Sequence, residues 1–85
     1  MNTPLPVTIK LFASLAETCG WRERQRLLEG ETRIIDLWRL ETGQAALPPR
    51  VLCARNMAYC DAMTAVAPGD EIAFFPPVTG GSHGS

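Results

Sequence analysis

The residues with the clearest potential for chemistry stand near the carboxyl end, in the segment FFPPVTGGSHGS from Phe74 to Ser85. Pro76 and Pro77 fix their own φ angles and lack an amide donor, so strand pairing must stop before them and the chain leaves stiff and extended. From Pro76 to Gly81 an extended chain reaches roughly 20 Å. Gly80 and Gly81 lack a Cβ, which lets the backbone pass through a narrow channel. The segment therefore predicts a stiff, extended tail that can enter a deep site on another protein.

The rest of the chain offers no set of side chains for catalysis or metal binding. The single histidine, His83, lies in the final tail without a nearby ligand set, and no motif places a serine, a histidine and an aspartate together. Cys19, Cys53 and Cys60 lack CxxC and CxxH spacing, so we expect buried thiols rather than a disulfide framework or a zinc site. The chain is not expected to be an enzyme on its own.

Length and charge set the class of protein. A chain of 85 residues allows one domain, which buries about 60 to 65 per cent of the surface of its unfolded chain. The net charge is −1 and the basic residues are scattered, which gives no footprint for nucleic acid. The alternation of Arg22, Arg24 and Arg26 predicts the solvated face of a strand.

No apolar run approaches the roughly 20 residues that span a bilayer, so no membrane association is expected. The amino end MNTPLPVT lacks the basic and then apolar order of a secretory signal. We therefore predict a cytoplasmic protein.

The first half of the chain predicts two strands around a short helical turn. Val7 to Leu11 alternates apolar and polar residues, as in a strand buried on one face, with Phe12 turning inward near its end. Ser14 is the expected N-cap of a turn that stops at Gly20. Trp21 to Gly30 then predicts a second strand that pairs with the first as an antiparallel hairpin.

One main helix follows. Thr32 is its expected N-cap and Gly43 its stop. Its apolar stripe has helical spacing and comprises Ile34, Ile35, Leu37 and Trp38.

The second half predicts three strands and no further long helix. A strand begins at Val51, Asn56 provides a turn, and a short strand returns from Met57 to Cys60. The turn signal Pro-Gly-Asp at 68–70 precedes the last strand, Glu71 to Phe75. This order suits an α+β domain in which the helix packs across a mixed sheet, with the first and last strands side by side.

The last strand places its side chains on two faces. Ile72 and Phe74 are expected to face the helix, and Ala73 and Phe75 the opposite side. An exposed Phe75 would mark a binding surface, because aromatic residues often dominate interface energies. The alternative is that a loop carrying Met57 or Met63 covers the ring.

The block APGDEIAFFPPVTGG, from Ala67 to Gly81, closely resembles the carboxyl end of the small subunit of molybdopterin synthase, a ubiquitin-like sulfur carrier. A looser likeness covers the opening strand, the helix and the turn before the last strand. The resemblance implies a β-grasp fold with a mixed sheet of four to five strands and one main helix. It implies a single domain over residues 1–75 and an extended tail over 76–85.

The resemblance also implies a mechanism and partners. An E1-like adenylyltransferase would use ATP to adenylate the carboxylate of Gly81, which then becomes a thiocarboxylate. The large synthase subunit would take that sulfur to build the dithiolene of molybdopterin from cyclic pyranopterin monophosphate, in the family's heterotetramer of two small and two large subunits. Gly80 would give access to the end, and no cofactor would be bound. Partners would grip the base of the tail, which comprises Phe75, Pro76, Pro77, Val78 and Thr79.

The chain departs from the family after the glycines. Ser82 to Ser85 follow Gly81, and an amide at Gly81 cannot be adenylated. A protease removes the four residues, or they were added when the protein was made, or the chain no longer carries sulfur; we favour the first two. Three alternatives stay open. The chain could be a sulfur carrier for another pathway, namely thiamine thiazole, cysteine or tRNA thiolation. It could be a ubiquitin-like binding module, or its tail could have no function.

Overall fold

The computed structural model describes residues 5–77 as a mixed sheet with one principal helix across one face. The elements are β1 (Val7–Leu11), α1 (Ser14–Cys19), β2 (Glu23–Arg26), β3 (Thr32–Arg33), α2 (Ile34–Thr42), β4 (Leu52–Arg55), β5 (Ala58–Cys60), β6 (Ala65–Val66) and β7 (Glu71–Phe75). The five-stranded sheet has the order β2-β1-β7-β4-β5, and β3 and β6 form a separate two-stranded sheet. The central strands β1 and β7 are parallel, and the other pairs are antiparallel.

The core lies between this sheet and α2. The strands contribute alternate side chains that are fully or almost fully buried, namely Val7, Ile9, Leu11, Ile72 and Phe74. The helix contributes Ile34, Leu37 and Trp38, and the Trp38 and Phe74 rings meet edge to face at 4.9 Å. The predicted α+β class, the adjacency of the first and last strands and the inward face of β7 are therefore confirmed.

The starts of both helices differ from the predictions. Ser14 is the first residue of α1 rather than its cap, and Ala13 precedes it with φ 52° and no side-chain cap bond. Thr32 belongs to β3, where its Oγ1 donates to the Gly30 carbonyl at 2.9 Å. The residue before α2 is Arg33, whose backbone N–H donates to Asp36 Oδ2 at 2.8 Å. For α2 the cap prediction fails because β3, which contains Thr32, pairs with the distant β6 and shifts the helix start.

The second strand is shorter than predicted, but it pairs antiparallel with β1 as expected. All three arginines of the alternation are exposed, which confirms a solvated face. The structure adds ion pairs from Arg24 and Arg26 to Glu41 of α2, whose side chain is only 2% exposed. The two arginines neutralise the charge of this carboxylate. A buried charge without such partners would be strongly destabilising.

Among residues 5–77, no helix is long and apolar enough to cross a membrane.

Hydrogen bonds join the turn between β4 and β5 to the turn at 68–70 that precedes β7. Asn56 and Met57 both have positive φ, as a two-residue type I′ hairpin turn requires. Asn56 Nδ2 donates to Asp70 Oδ1 at 3.0 Å, and Asn56 Oδ1 accepts from the Glu71 N–H at 2.9 Å. Asp70 Oδ2 also accepts from the Ala67 N–H at 2.8 Å. The predicted turns at Asn56 and at 68–70 are confirmed, and together they hold the β4–β5 hairpin in place.

Replacing Asp70 with asparagine should destabilise the fold by about 1 to 3 kcal/mol at neutral pH, because charge-assisted hydrogen bonds are lost. Burial acts to raise the pKa of Asp70, but hydrogen bonds from Ala67 and Asn56 and the charge of Arg55 outweigh it and lower the pKa below its usual 3.8. A carboxylate whose pKa is lower in the folded than in the unfolded protein stabilises the fold at pH values above its unfolded pKa. This stabilisation is lost as the pH falls through the folded pKa. The difference between Asp70→Asn and wild type should therefore shrink below pH 3.8.

Urea unfolding at neutral and acid pH measures this difference. Glu29→Gln, an exposed carboxylate in the loop after β2, is the matched control and should show little change at either pH. An Asp70→Asn deficit that stayed constant with pH would contradict the role given to the charge.

Candidate functional site

The face of the sheet opposite α2 carries a shallow apolar depression of about 240 Å³. We call this the outer surface; its lining residues are Phe12, Ala54, Met57, Tyr59, Glu71, Ala73 and Phe75. On its β1 side, Lys10 Nζ lies 3.6 Å from Glu71 Oε2, so an ion pair borders the apolar floor. A surface of this composition can bind an apolar partner segment, and the carboxylate of Glu71 at its border is held in an ion pair.

Three aromatic rings form the most prominent part of the outer surface. Phe12 and Phe75 stack with their centroids 4.7 Å apart and an interplanar angle of 11°. Tyr59 meets Phe75 edge to face at 6.0 Å. Phe75 faces outward as predicted and is partly buried by these two rings, whereas Met63 does not line the depression. Phe12 was predicted to turn inward, and this was wrong, because it is 41% exposed on the outer surface.

The strand period explains why these residues share one face. In β1 the odd-numbered residues point to the core, so Phe12, just past its end, continues the outward set. Across β4 and β7, Ala54 pairs with Ala73, and these two small side chains form the low floor of the depression. Sequence reasoning missed Tyr59, although its alternation with the partly buried Cys60 in β5 could have identified it.

Met57 and Tyr59 are the most exposed members of the outer surface, at 91% and 73%. Met57 stands on the type I′ turn that Asn56 and Asp70 hold, so its backbone is fixed while its side chain is free to adapt. Large exposed apolar side chains grouped on one face of a small domain mark an interaction site.

The predicted tail leaves the sheet at the edge of this surface. The Phe12 N–H donates to the Phe74 carbonyl at 3.2 Å, which continues the β1–β7 pairing to the end of the strand. Pro76 is partly buried and Pro77 is exposed, and neither belongs to a strand. The other predicted site residues, Val78, Thr79, Gly80 and Gly81, lie outside the described residues, as do Ser82 to Ser85. Their roles, and the division into a domain over 1–75 and a tail over 76–85, stay predictions.

In the part of the chain that the structure describes, no three His, Cys, Asp or Glu side chains come together as a metal site. The arrangement that the structure does show is an apolar surface with a chain exit at its border.

The parallel central pair, its flanking antiparallel strands and the single crossing helix define the ubiquitin-like β-grasp class. The chain belongs to the ThiS family, whose model matches residues 9–81. It is 33% identical over 82 residues to the human molybdopterin synthase sulfur carrier subunit, a match that covers 88% of this chain and 93% of that protein. The resemblance that the Ala67 to Gly81 block predicted is thus confirmed.

Solved structures agree on the fold. The crystal structure of the H. volcanii small archaeal modifier protein 1 superposes with a TM-score of 0.75 at 29% identity, covering 87% of this chain and 99% of that one. The solution structure of Urm1 from Trypanosoma brucei has a TM-score of 0.67 at 17% identity, covering 95% and 100%, and this likeness concerns the fold alone.

Proposed function

We propose that this chain is a sulfur carrier and, within that class, the small subunit of molybdopterin synthase. The observation that carries the proposal is the family match, which spans the sheet and ends at Gly81. The identity to the human sulfur carrier subunit supports the assignment to molybdopterin synthesis. The chain would be inactive alone and would act as the donor subunit of a sulfur-transferring complex.

In the proposed reaction, the Gly81 carboxylate attacks the α-phosphate of ATP on an E1-like adenylyltransferase and releases pyrophosphate. The acyl adenylate has a good leaving group, so a sulfur nucleophile replaces AMP and a thiocarboxylate forms. The large synthase subunit then transfers this sulfur to cyclic pyranopterin monophosphate. The chain contributes a reachable end, with Gly80 allowing passage through the partner's channel.

The outer surface is the proposed docking site for the large subunit. Its rings lie at the border where Phe75 passes into Pro76 and Pro77, so a partner that covers the rings also receives the start of the tail. Val78 and Thr79 would then lie inside the partner's channel. The E1-like enzyme would bind the same surface before the large subunit does. Use of one surface by both partners in turn agrees with a carrier that is first loaded and then discharged. A heterotetramer of two small and two large subunits is the expected assembly.

The intact mass of a chain ending at Gly81 tests the carrier function. Incubated with an E1-like enzyme, ATP and a sulfur donor, this chain should gain about 16 Da, the exchange of one oxygen for sulfur. The 85-residue chain, whose Gly81 is an amide, should keep its mass and is the matched control. No gain in the shortened chain, under conditions that modify a known carrier, would refute the proposal.

A carrier for another thiolation pathway is the second candidate, favoured by the 29% identity to a small archaeal modifier protein. The thiocarboxylated chain separates the two. Mixed with the large synthase subunit and cyclic pyranopterin monophosphate, it should yield molybdopterin. If the chain acquired sulfur but gave no molybdopterin with the cognate large subunit, the assignment to molybdopterin synthesis would be refuted. The carrier function would still stand. The cytoplasmic location stays a prediction.

A further inference from the structure

Two of the three free cysteines face each other inside the β4–β5 hairpin. Cys53 and Cys60 are direct partners in the antiparallel register. Cys53 Sγ lies 3.3 Å from the Cys60 carbonyl oxygen, and Cys60 Sγ lies 3.9 Å from the Cys53 carbonyl oxygen. Both sulfurs therefore occupy the space between the same two strands. Cys53 is 3% exposed and Cys60 is partly buried, so only Cys60 is open to small molecules.

Directly opposed residues of an antiparallel pair have Cα atoms about 4.5 to 5.5 Å apart, within the roughly 4.4 to 6.8 Å that a disulfide needs. Their Cβ atoms lie about 4.5 to 5.5 Å apart, whereas a disulfide prefers roughly 3.5 to 4.5 Å. The two strands must therefore approach each other slightly for the bond to form. A disulfide that draws strands out of their relaxed spacing is more easily reduced, which is typical of reversible sites.

We propose that Cys53 and Cys60 are a reversible thiol–disulfide site that reacts with a low-molecular-weight disulfide. The Cys60 thiolate attacks one sulfur of that disulfide and forms a mixed disulfide, and one small thiol leaves. Cys53 then loses its proton and attacks the Cys60 sulfur, and a second small thiol leaves. The two cysteines are oxidised to one disulfide, the small disulfide is reduced to two thiols, and the two protons pass to the leaving groups.

The surroundings of the two thiols favour this order. Burial raises the pKa of Cys53 to about 12, and the neighbouring Cys60 and Asp61 act in the same direction. Cys53 therefore stays protonated at neutral pH and is a poor first nucleophile. In the mixed disulfide Cys60 no longer contributes to the raised pKa of Cys53, and burial remains its main cause. Cys60 acts as the entry thiol and Cys53 as the resolving thiol.

The bond would act on the hairpin that forms one side of the outer surface. Ala54 and Tyr59 alternate with the two cysteines and point to the opposite face of the same strands. Closing the strands on the inner side would shift Tyr59 relative to Phe75. The oxidation itself needs no sulfur-carrier activity, so its test is independent of the proposed function.

The test treats the reduced 85-residue chain with oxidised glutathione and counts thiols. Two of the three thiols should disappear, the intact mass should fall by about 2 Da, and dithiothreitol should restore both. Trypsin cleaves after Arg55 and so places the two cysteines in different peptides. Without prior reduction, the peptide from Val51 to Arg55 should be recovered linked by a disulfide to the peptide that begins at Asn56.

Matched variants identify the pair. Cys19→Ala, which removes the cysteine at the end of α1, should form the same bond with the same loss of two thiols. Cys53→Ala should stop at a glutathione adduct on Cys60, and Cys60→Ala should lose fast reactivity in the hairpin. A persistent glutathione adduct on Cys60 of the wild type, a bond through Cys19, or a disulfide-linked dimer would each overturn the proposal.

Discussion

Replacing Phe75 with alanine in a chain that ends at Gly81 is expected to weaken binding to the large synthase subunit by about 30- to 1,000-fold. Phe75 is the middle one of the three rings on the outer surface, between the stacked ring of Phe12 and the edge of Tyr59. It is also the last strand residue before the prolines, so its loss would remove an anchor at the base of the proposed tail. Calorimetry or surface binding with the isolated large subunit measures the effect.

Two further variants separate docking from folding. Tyr59→Ala removes a ring that is largely exposed, so it should weaken the complex while leaving the free energy of unfolding nearly unchanged. Leu40→Ala removes an exposed apolar side chain on α2, which packs on the other face of the sheet, and it should bind as the wild type does. If Phe75→Ala and Tyr59→Ala both bound with unchanged affinity, the outer surface would not be the docking site.

Replacing Trp38 with alanine is expected to cost about 3 to 5 kcal/mol of the free energy of unfolding. Trp38 is fully buried, meets Phe74 edge to face, and donates from Nε1 to the Ala46 carbonyl at 3.1 Å. The change leaves a cavity and removes the partner of that carbonyl. Because a domain of this size has roughly 4 to 13 kcal/mol in total, the variant should lose a large share of its stability and unfold at a clearly lower urea concentration.

Circular dichroism in urea checks this prediction, since the variant lacks one of the two tryptophans on which fluorescence would depend. Trp38→Phe keeps most of the packing and loses the hydrogen bond, so it should fall between alanine and wild type. Leu40→Ala, two residues further along α2, should stay within about 0.5 kcal/mol of wild type. Equal losses for Trp38→Ala and Leu40→Ala would contradict the assigned core.

The elements that follow local rules could be predicted from the sequence. The last strand runs from Glu71 to Phe75 as predicted, because the turn at 68–70 begins it and two prolines end it. The stop of α2 at Gly43 was also predictable, since glycine readily takes the positive φ of 77° found there. Both signals act within a few residues of the boundary they set.

The features that depend on distant residues could not be predicted. The start of α2 is displaced because Thr32 and Arg33 pair with β6, and no local pattern announces a two-residue ladder. In the sequence, Glu41 resembles an ordinary carboxylate on a helix surface. Only the structure shows that two arginines of β2 pair with it. The stack of Phe12 on Phe75 likewise exists only because β1 and β7 lie parallel and in register.

The central position of β7 would have a mechanical consequence for the proposed carrier, whose end would be inserted into a partner and withdrawn again. Tension on the tail would enter the domain at Phe75 and run along a strand that is bonded to β1 on one side and to β4 on the other. Such a load shears two ladders at once instead of peeling one bond at a time, so the body should resist extraction forces better than a domain whose tail leaves from an edge strand.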